Sequence, residues 1–517
     1  MALGSSSLSS SLRFTVSDRP TVPTDTRASV QQTSSTTRVY SPRLRTALVL
    51  SGTGTAGAYH AGVLRALHEA GVKIDVTAGR GIGAVGALLA AIDGAQDLWA
   101  SNGLWQGSRT ANLYQWRPVL RLTARLLGLA LTVLLLPLAA VVVGALASFA
   151  AYLLRVSAVP SDAITTAVDQ VIEWALSPAA VLTWLPLVVA PALLLLFALQ
   201  LGAFGVVWLR ARRHRRIHGG LWSTLLGSPI DAEAARDWFV DGLWKLMRGG
   251  ASVAQPDVKD LGQRYVELLS ENLGQPGFRD LLITVHDLDG QRDLAFALLS
   301  EPHRSLFFGG ETGPGAVNRS LEALDLAGEP GHCGFDACLA ALSLPALTES
   351  SLVSFASSSS WRGETHRLCD RPDGVGRLLD EVARAGVEQV IFVSALPPPT
   401  GPHGLSSGRQ DGRGRIGETL SALESAAERS AIASRTPLFQ AVFEIRPKHN
   451  PLGPFDFRGC YDERSDRHQT LAELLERGYE DGRVQFVEPI IGASGEAIES
   501  DQTRSRTGYL PDIRNQE

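Results

Sequence analysis

Two short apolar runs, each breaking into a glycine turn and then into a helical pattern, constrain this chain more than anything else in it. Ala47-Leu48-Val49-Leu50 has the length and branching of a buried strand, and it runs straight into Ser51-Gly52-Thr53-Gly54-Thr55-Ala56-Gly57. Val63, Leu64, Leu67 and Ala70 then fall on one face of a helix closed by Gly71. Residues 74–78 read as a second strand, Gly79-Arg80-Gly81-Ile82-Gly83 as a second turn and residues 84–92 as a second apolar helix. Strand, turn and helix twice over predict an α/β fold with a mainly parallel sheet, because a helical crossover returns the chain to the same end of the sheet. Gly52, Gly54 and Gly57 also satisfy G-x-G-x-x-G, with Asp75 near the distance of a ribose-binding acid, so a nucleotide-binding module is one reading. Against it, Asp75 opens its strand and does not close it, and the second glycine turn has no place in such a site.

The two turns taken together resemble the patatin-like phospholipase family. Its first loop, G-G-G-x-R-G, supplies an oxyanion hole, and its second, G-x-S-x-G, is a nucleophile elbow. The resemblance is closest over residues 47–93, including Ala58-Tyr59-His60-Ala61-Gly62-Val63-Leu64-Arg65-Ala66-Leu67. It implies a three-layer α/β/α fold and a serine–aspartate dyad that cleaves lipid esters, with backbone N–H groups steadying the developing charge. By the same resemblance Gly81 stands at the nucleophile position, and Gly52, Thr53, Gly54, Ala56, Gly57, Arg80 and Gly83 belong to the oxyanion or anion-binding loops. Asp370, at the end of Thr365-His366-Arg367-Leu368-Cys369-Asp370, is the remnant of the dyad base, with Asp373 before Gly374 as the alternative. Three departures fall on residues the chemistry uses. Gly81 has no side chain, Thr53 and Ala56 replace a glycine and the basic residue of the first loop, and Arg371-Pro372 replace the glycines after the aspartate. Glycine cannot form an acyl intermediate. The expectation is a protein that no longer hydrolyses by the dyad and acts through lipid or protein binding. An active acyl hydrolase with a displaced nucleophile is the alternative, although Ser51, Thr53, Ser357–Ser360 and the neighbours His332 and Cys333 all read as structural. Helix N–H groups beyond Gly83, with Arg80, are expected to hold a lipid phosphate or carboxylate.

A second constraint lies between Arg125 and Arg155, where no residue is charged, and again over residues 174–209. Each run exceeds the roughly 20 residues a bilayer span needs. The expectation is a transmembrane hairpin inserted at residues 118–216, with spans at about 126–154 and 181–209, the second interrupted by Pro186 and Pro191. Buried core helices are the plainer alternative. Arg109, Arg117, Arg121 and Arg125 precede the hairpin and Arg210, Arg212, Arg213, Arg215 and Arg216 follow it, against Arg155, Asp162, Asp169 and Glu173 between the spans. The positive-inside rule then places the globular part and both termini in the cytoplasm, at a bacterial inner membrane. The later arginines also suit anionic lipid headgroups.

The remaining organisation follows from patterning. Residues 1–44 are rich in Ser, Thr and Arg and lack apolar periodicity, so they read as a disordered tail without a secretory signal, a transit peptide being the lesser reading. Residues 45–117 and 217–400 form the two parts of the α/β domain, 401–497 a C-terminal extension packed on it, and 498–517 a second tail. Within the second part, residues 281–287 and 294–299 read as a hairpin turning at Asp289-Gly290, and 337–345, 378–385 and 389–393 as helix, helix and strand. In the extension, residues 440–446 read as a strand and 471–479 as a helix capped by Asp466 or Thr470, with a turn-rich loop over 397–414. A net charge of -5 gives no reason to expect nucleic acid, and nearly all positive charge is arginine, with Lys73, Lys245, Lys259 and Lys448 the only lysines. Cys333, Cys338, Cys369 and Cys460 have no metal-ligand spacing, so free thiols and no metal are expected, and no cofactor is implied.

Overall fold

A computed structural model describes residues 40–92, 96–156, 166–170, 173, 177, 184–213, 227–309, 319–328, 333–401, 408–409 and 411–492. The first strand, β1 (Thr46–Gly52), is buried at every residue. Leu48 and Leu50 belong to one apolar cluster, and Ala47 and Val49 to another on the opposite face. That alternation is what a strand covered on both sides requires, and it explains why the sequence reads as an unbroken apolar run.

After helix α1 (Ala56–Glu69) the chain returns as β2 (Val76–Gly81), parallel to β1, and enters α2 (Ile82–Ala90). Much later come β3 (Asp280–Asp287), β4 (Arg292–Leu298), β5 (Ala323–Asp325), β6 (Ser351–Ser354), β7 (Thr365–Cys369), β8 (Gln389–Ser394) and β9 (Ala441–Ile445). They join β1 and β2 in one nine-stranded sheet of order β9-β8-β1-β2-β3-β4-β5, with β7 pairing β3 and β6. The pairings β9–β8–β1–β2–β3 are parallel, and β3–β4 is the expected antiparallel hairpin. The architecture is α/β with a mainly parallel central sheet, as the doubled motif predicted.

Helices α3 (Pro118–Val156) and α4 (Trp184–Arg213) pack against each other. They leave and rejoin the domain at adjacent points, because residues 115–116 pair antiparallel with 230–231. Leu127, Leu129, Leu194 and Phe197 on them are more than half exposed. Among the described residues no helix is long and apolar enough to cross a membrane, so the two expected spans are not supported. Those spans fall in part on side chains at 133–134, 136–138, 140 and 181–187, which lie outside the described residues. Helix α3 also begins well before residue 126 and carries Arg121 and Arg125 in its first turns, with Pro191 inside α4.

Helices α5 (Glu233–Arg248), α6 (Val258–Glu271) and α7 (Cys333–Ala341) join α1 and α2 in the larger apolar cluster, while α8 (Val375–Arg384) and α9 (Gly412–Arg435) cover the other face. The region expected as an extension contributes a strand and a helix to this fold. β9 is an edge of the central sheet, and α10 (Leu471–Gly482) lies along α1, where a Cβ on Gly62 would come within 1.9 Å of the Leu475 carbonyl. Thr470 caps α10 in a reciprocal box with Glu473. The expected tail at 1–44 also ends sooner, since Tyr40 is buried against Phe443 and Phe486 and its hydroxyl donates to the Lys73 carbonyl at 3.0 Å. Residues 1–39 and 498–517 lie outside the described residues, as does 402–407 of the expected turn-rich loop.

Candidate functional site

The carboxyl ends of β1, β2, β7 and β8 converge where both glycine turns lie. At the end of β2 the chain reverses from strand to helix at Gly81, whose φ of 56° and ψ of -135° favour glycine. Register sets Gly52 beside Gly81 and Ser51 beside Arg80. β7 delivers Asp370, whose N–H donates to the Ser343 carbonyl at 2.7 Å. A Cβ at position 81 would stand 3.0 Å from Asp370 Oδ2 and 2.4 Å from the Gly52 carbonyl oxygen. Asp373, by contrast, is half exposed and held by Arg371 at 2.8 and 2.9 Å.

Arg80 is the centre of a buried ion cluster. Its Nε and Nη2 donate to Asp370 at 3.2 and 2.7 Å, Nη2 also to Glu424 Oε1 at 2.9 Å, and Nη1 to Ser51 Oγ at 3.2 Å. Thr53 Oγ1 donates to the same Glu424 oxygen. Arg80 and Asp370 are each 1% exposed. Burial disfavours the guanidinium charge, but Asp370 and Glu424 override it and hold Arg80 above its usual range. Burial likewise raises Glu424, against the pull of Arg80. In this arrangement the charge that the sequence reading assigned to a lipid anion is engaged by two carboxylates and shielded from solvent. His60 lies beneath, with Nε2 3.2 Å from the Ser51 carbonyl oxygen, and burial lowers it to about 4, so it is neutral near pH 7.

The first glycine loop is also occupied. Thr55 donates its N–H to the Pro454 carbonyl at 3.1 Å and its hydroxyl to the Gly453 carbonyl at 2.9 Å. Gly54, at φ +59°, approaches Pro454 so closely that a Cβ would lie 1.9 Å from its oxygen. Ala56 packs against Gly52, Gly57 against the Trp105 ring, and Gly83 against the Leu50 carbonyl. Phe455 and Phe457 complete the cover, both buried against Tyr114. The space a pyrophosphate would need above α1 is filled. Asp75, at the opposite end of the sheet, accepts from the Thr46 N–H at 2.9 Å, which removes the nucleotide reading of these glycines.

Residues 48–172 match the family model described as patatin-like phospholipase. Over that stretch, about a quarter of its length, the chain is similar to patatin-like phospholipases. The solved structure of VipD from Legionella pneumophila is similar at 11% identity over 87% of this chain and 68% of that one, with a TM-score of 0.29, a likeness too slight to carry an argument. No curated protein matches the chain.

Around the patatin-like turns, four of the candidate hydroxyls are engaged elsewhere, while Ser357 and Ser358 are exposed. Ser51 and Thr53 belong to the ion cluster, and Ser359 and Ser360 donate to the Ala356 carbonyl and Ser320 Oγ. His332 and the Cys333 side chain lie outside the described residues. Cys338, Cys369 and Cys460 are free thiols, and burial pushes Cys369 up to about 12, away from thiolate chemistry. No group of acidic, His or Cys residues among the described residues could hold a metal ion. Glu424, His60 and Tyr114 escaped the sequence reading. For Glu424 a signal existed: Gly417, Leu420, Glu424, Glu428 and Ala431 share the buried face of α9, and two glutamates on an apolar stripe call for a buried counter-charge.

Proposed function

We propose that this patatin-like protein does not hydrolyse lipid esters and acts by binding a lipid or a protein partner at a membrane. The observation that carries the reading is the Gly81 turn. On this reading Gly81 fills the nucleophile position, the carbonyl of Gly52 occupies the space a side chain would take, and the facing Asp370 is neutralised by Arg80. With no side chain at position 81 there is no hydroxyl proton for Asp370 to take, and a loop that donates to Pro454 has no free donor at Thr55 for an oxyanion. Purified full-length protein should therefore leave a serine-reactive fluorophosphonate unbound and hydrolyse neither phospholipid nor p-nitrophenyl esters above background. Covalent labelling that tracks turnover would establish a displaced nucleophile.

Attachment to the bilayer rests on the α3–α4 hairpin. Its exposed leucines and the uncharged run of residues 126–154 suit hydrocarbon, and the flanking arginines suit a cytoplasmic, anionic leaflet of a bacterial inner membrane. How deep the hairpin sits is read by position 169, between the helices. In intact cells an Asp169→Cys variant should react with a membrane-impermeant maleimide from outside, while a cysteine at the carboxyl terminus stays protected. Protection of both positions would mean that the hairpin does not cross, and carbonate-extractable protein would remove membrane attachment altogether.

A further inference from the structure

Among the described residues, Glu428 carries a buried carboxyl that its surroundings compensate poorly. It follows Glu424 by one turn of α9 and is fully buried, and the Ser394 hydroxyl is the one neutral donor that reaches its oxygens, without good hydrogen-bond geometry. The nearest cation, Arg446 Nη1, stands 3.5 Å away, while Nε of the same side chain donates to Glu444 at 2.9 Å. Four groups face Glu428: Arg446 beyond the end of β9, Ser394 at the end of β8, Arg80 on β2 and Glu424 on its own helix. Counted together, the buried cluster holds two cations, Arg80 and Arg446, against three carboxyls, Asp370, Glu424 and Glu428. Neutrality requires one proton.

We infer that Glu428 is a proton-binding site and that its proton latches α9 over the Arg80 cluster. With the proton bound, the cluster is neutral and α9 stays docked. Without it, a third carboxylate stands one turn from Glu424 with only the distant Arg446 and the Ser394 hydroxyl to offset it, which favours release of α9 and exposes Arg80 and Asp370 to solvent. Burial, aided by Glu424 and opposed by Arg446, raises Glu428 to about 7. A group raised in the docked state favours docking at low pH and loses that contribution as pH rises toward 7. Docking should weaken by up to tenfold per pH unit, or roughly 300-fold between the ordinary carboxylate range and neutrality.

The test is hydrogen exchange of the full-length protein in detergent, corrected for intrinsic rates, from about pH 5 to about pH 9. Protection of the α9 amides should fall by up to about tenfold per pH unit as neutrality is approached and level off above it, and the infrared carbonyl band of one protonated carboxyl should disappear with a midpoint near neutrality. Glu428→Gln keeps the shape of the side chain without its charge, so α9 should stay protected at every pH and the band should be absent. Arg446→Gln removes the nearby cation and should move the midpoint upward. An unchanged pH profile in Glu428→Gln, an α9 that stays closed at all pH values in the parent protein, or no protonated carboxyl below neutrality would each overturn the latch.

Discussion

At Gly81, backbone and neighbours leave no room for a side chain. Its φ of 56° belongs to a region where other residues carry about 1–3 kcal/mol of strain. Active elbows tolerate that strain, so strain alone does not decide the matter. The carbonyl of Gly52 does, because a Cβ 2.4 Å from a backbone oxygen forces the β1 turn itself to move. Gly81→Ser should thus lower the melting temperature and create no esterase activity. Robust, fluorophosphonate-sensitive turnover in that variant would show that the loop relaxes and that the rest of the catalytic machinery survives. Arg80 makes the complementary point. Its guanidinium compensates two buried carboxylates, and removing one partner from such a pair costs about 3–5 kcal/mol.

Among the elements, the contact of α1 with α10 shows how context reverses a propensity. Gly478 on α10 approaches the Tyr59 carbonyl, where a Cβ would come within 2.3 Å, and Gly482 lies against Ala66. In an exposed helix, Gly→Ala stabilises by about 1 kcal/mol. Here the helices must separate, and overpacking of that kind costs about 1–3 kcal/mol. Gly478→Ala should therefore destabilise the protein in thermal unfolding, whereas Gly128→Ala on α3, where nothing lies within 4 Å, should not. Stabilisation by both would mean that α10 is not seated on α1. Helix α10 was legible from its apolar period and the Thr470 cap, but its partner was not, because a helix pattern says which face is buried and not what buries it.

For the whole molecule, the region after residue 400 completes the domain. It supplies the edge strand β9, the Glu424 carboxylate opposite Arg80, the Pro454 carbonyl above the first glycine loop and the helix that seats α1. A chain ending at residue 400 should lack a cooperative thermal transition, since it leaves Arg80 undercompensated and exposes the edge of β8. A folded truncation with near-parent stability would make residues 401–492 the separate extension that patterning suggested. The sequence by itself determined the α/β class, the parallel strands β1 and β2 joined through α1, and the hairpin β3–β4. Those features rest on local periodicity and turn chemistry, which each segment carries within itself. Tertiary structure alone decided that Arg80 is buried between carboxylates from positions 370 and 424 and that Pro454 closes the loop. Those contacts join residues hundreds of positions apart, and their partners are chosen by sheet order and by the charge balance of a buried space that no single segment encodes.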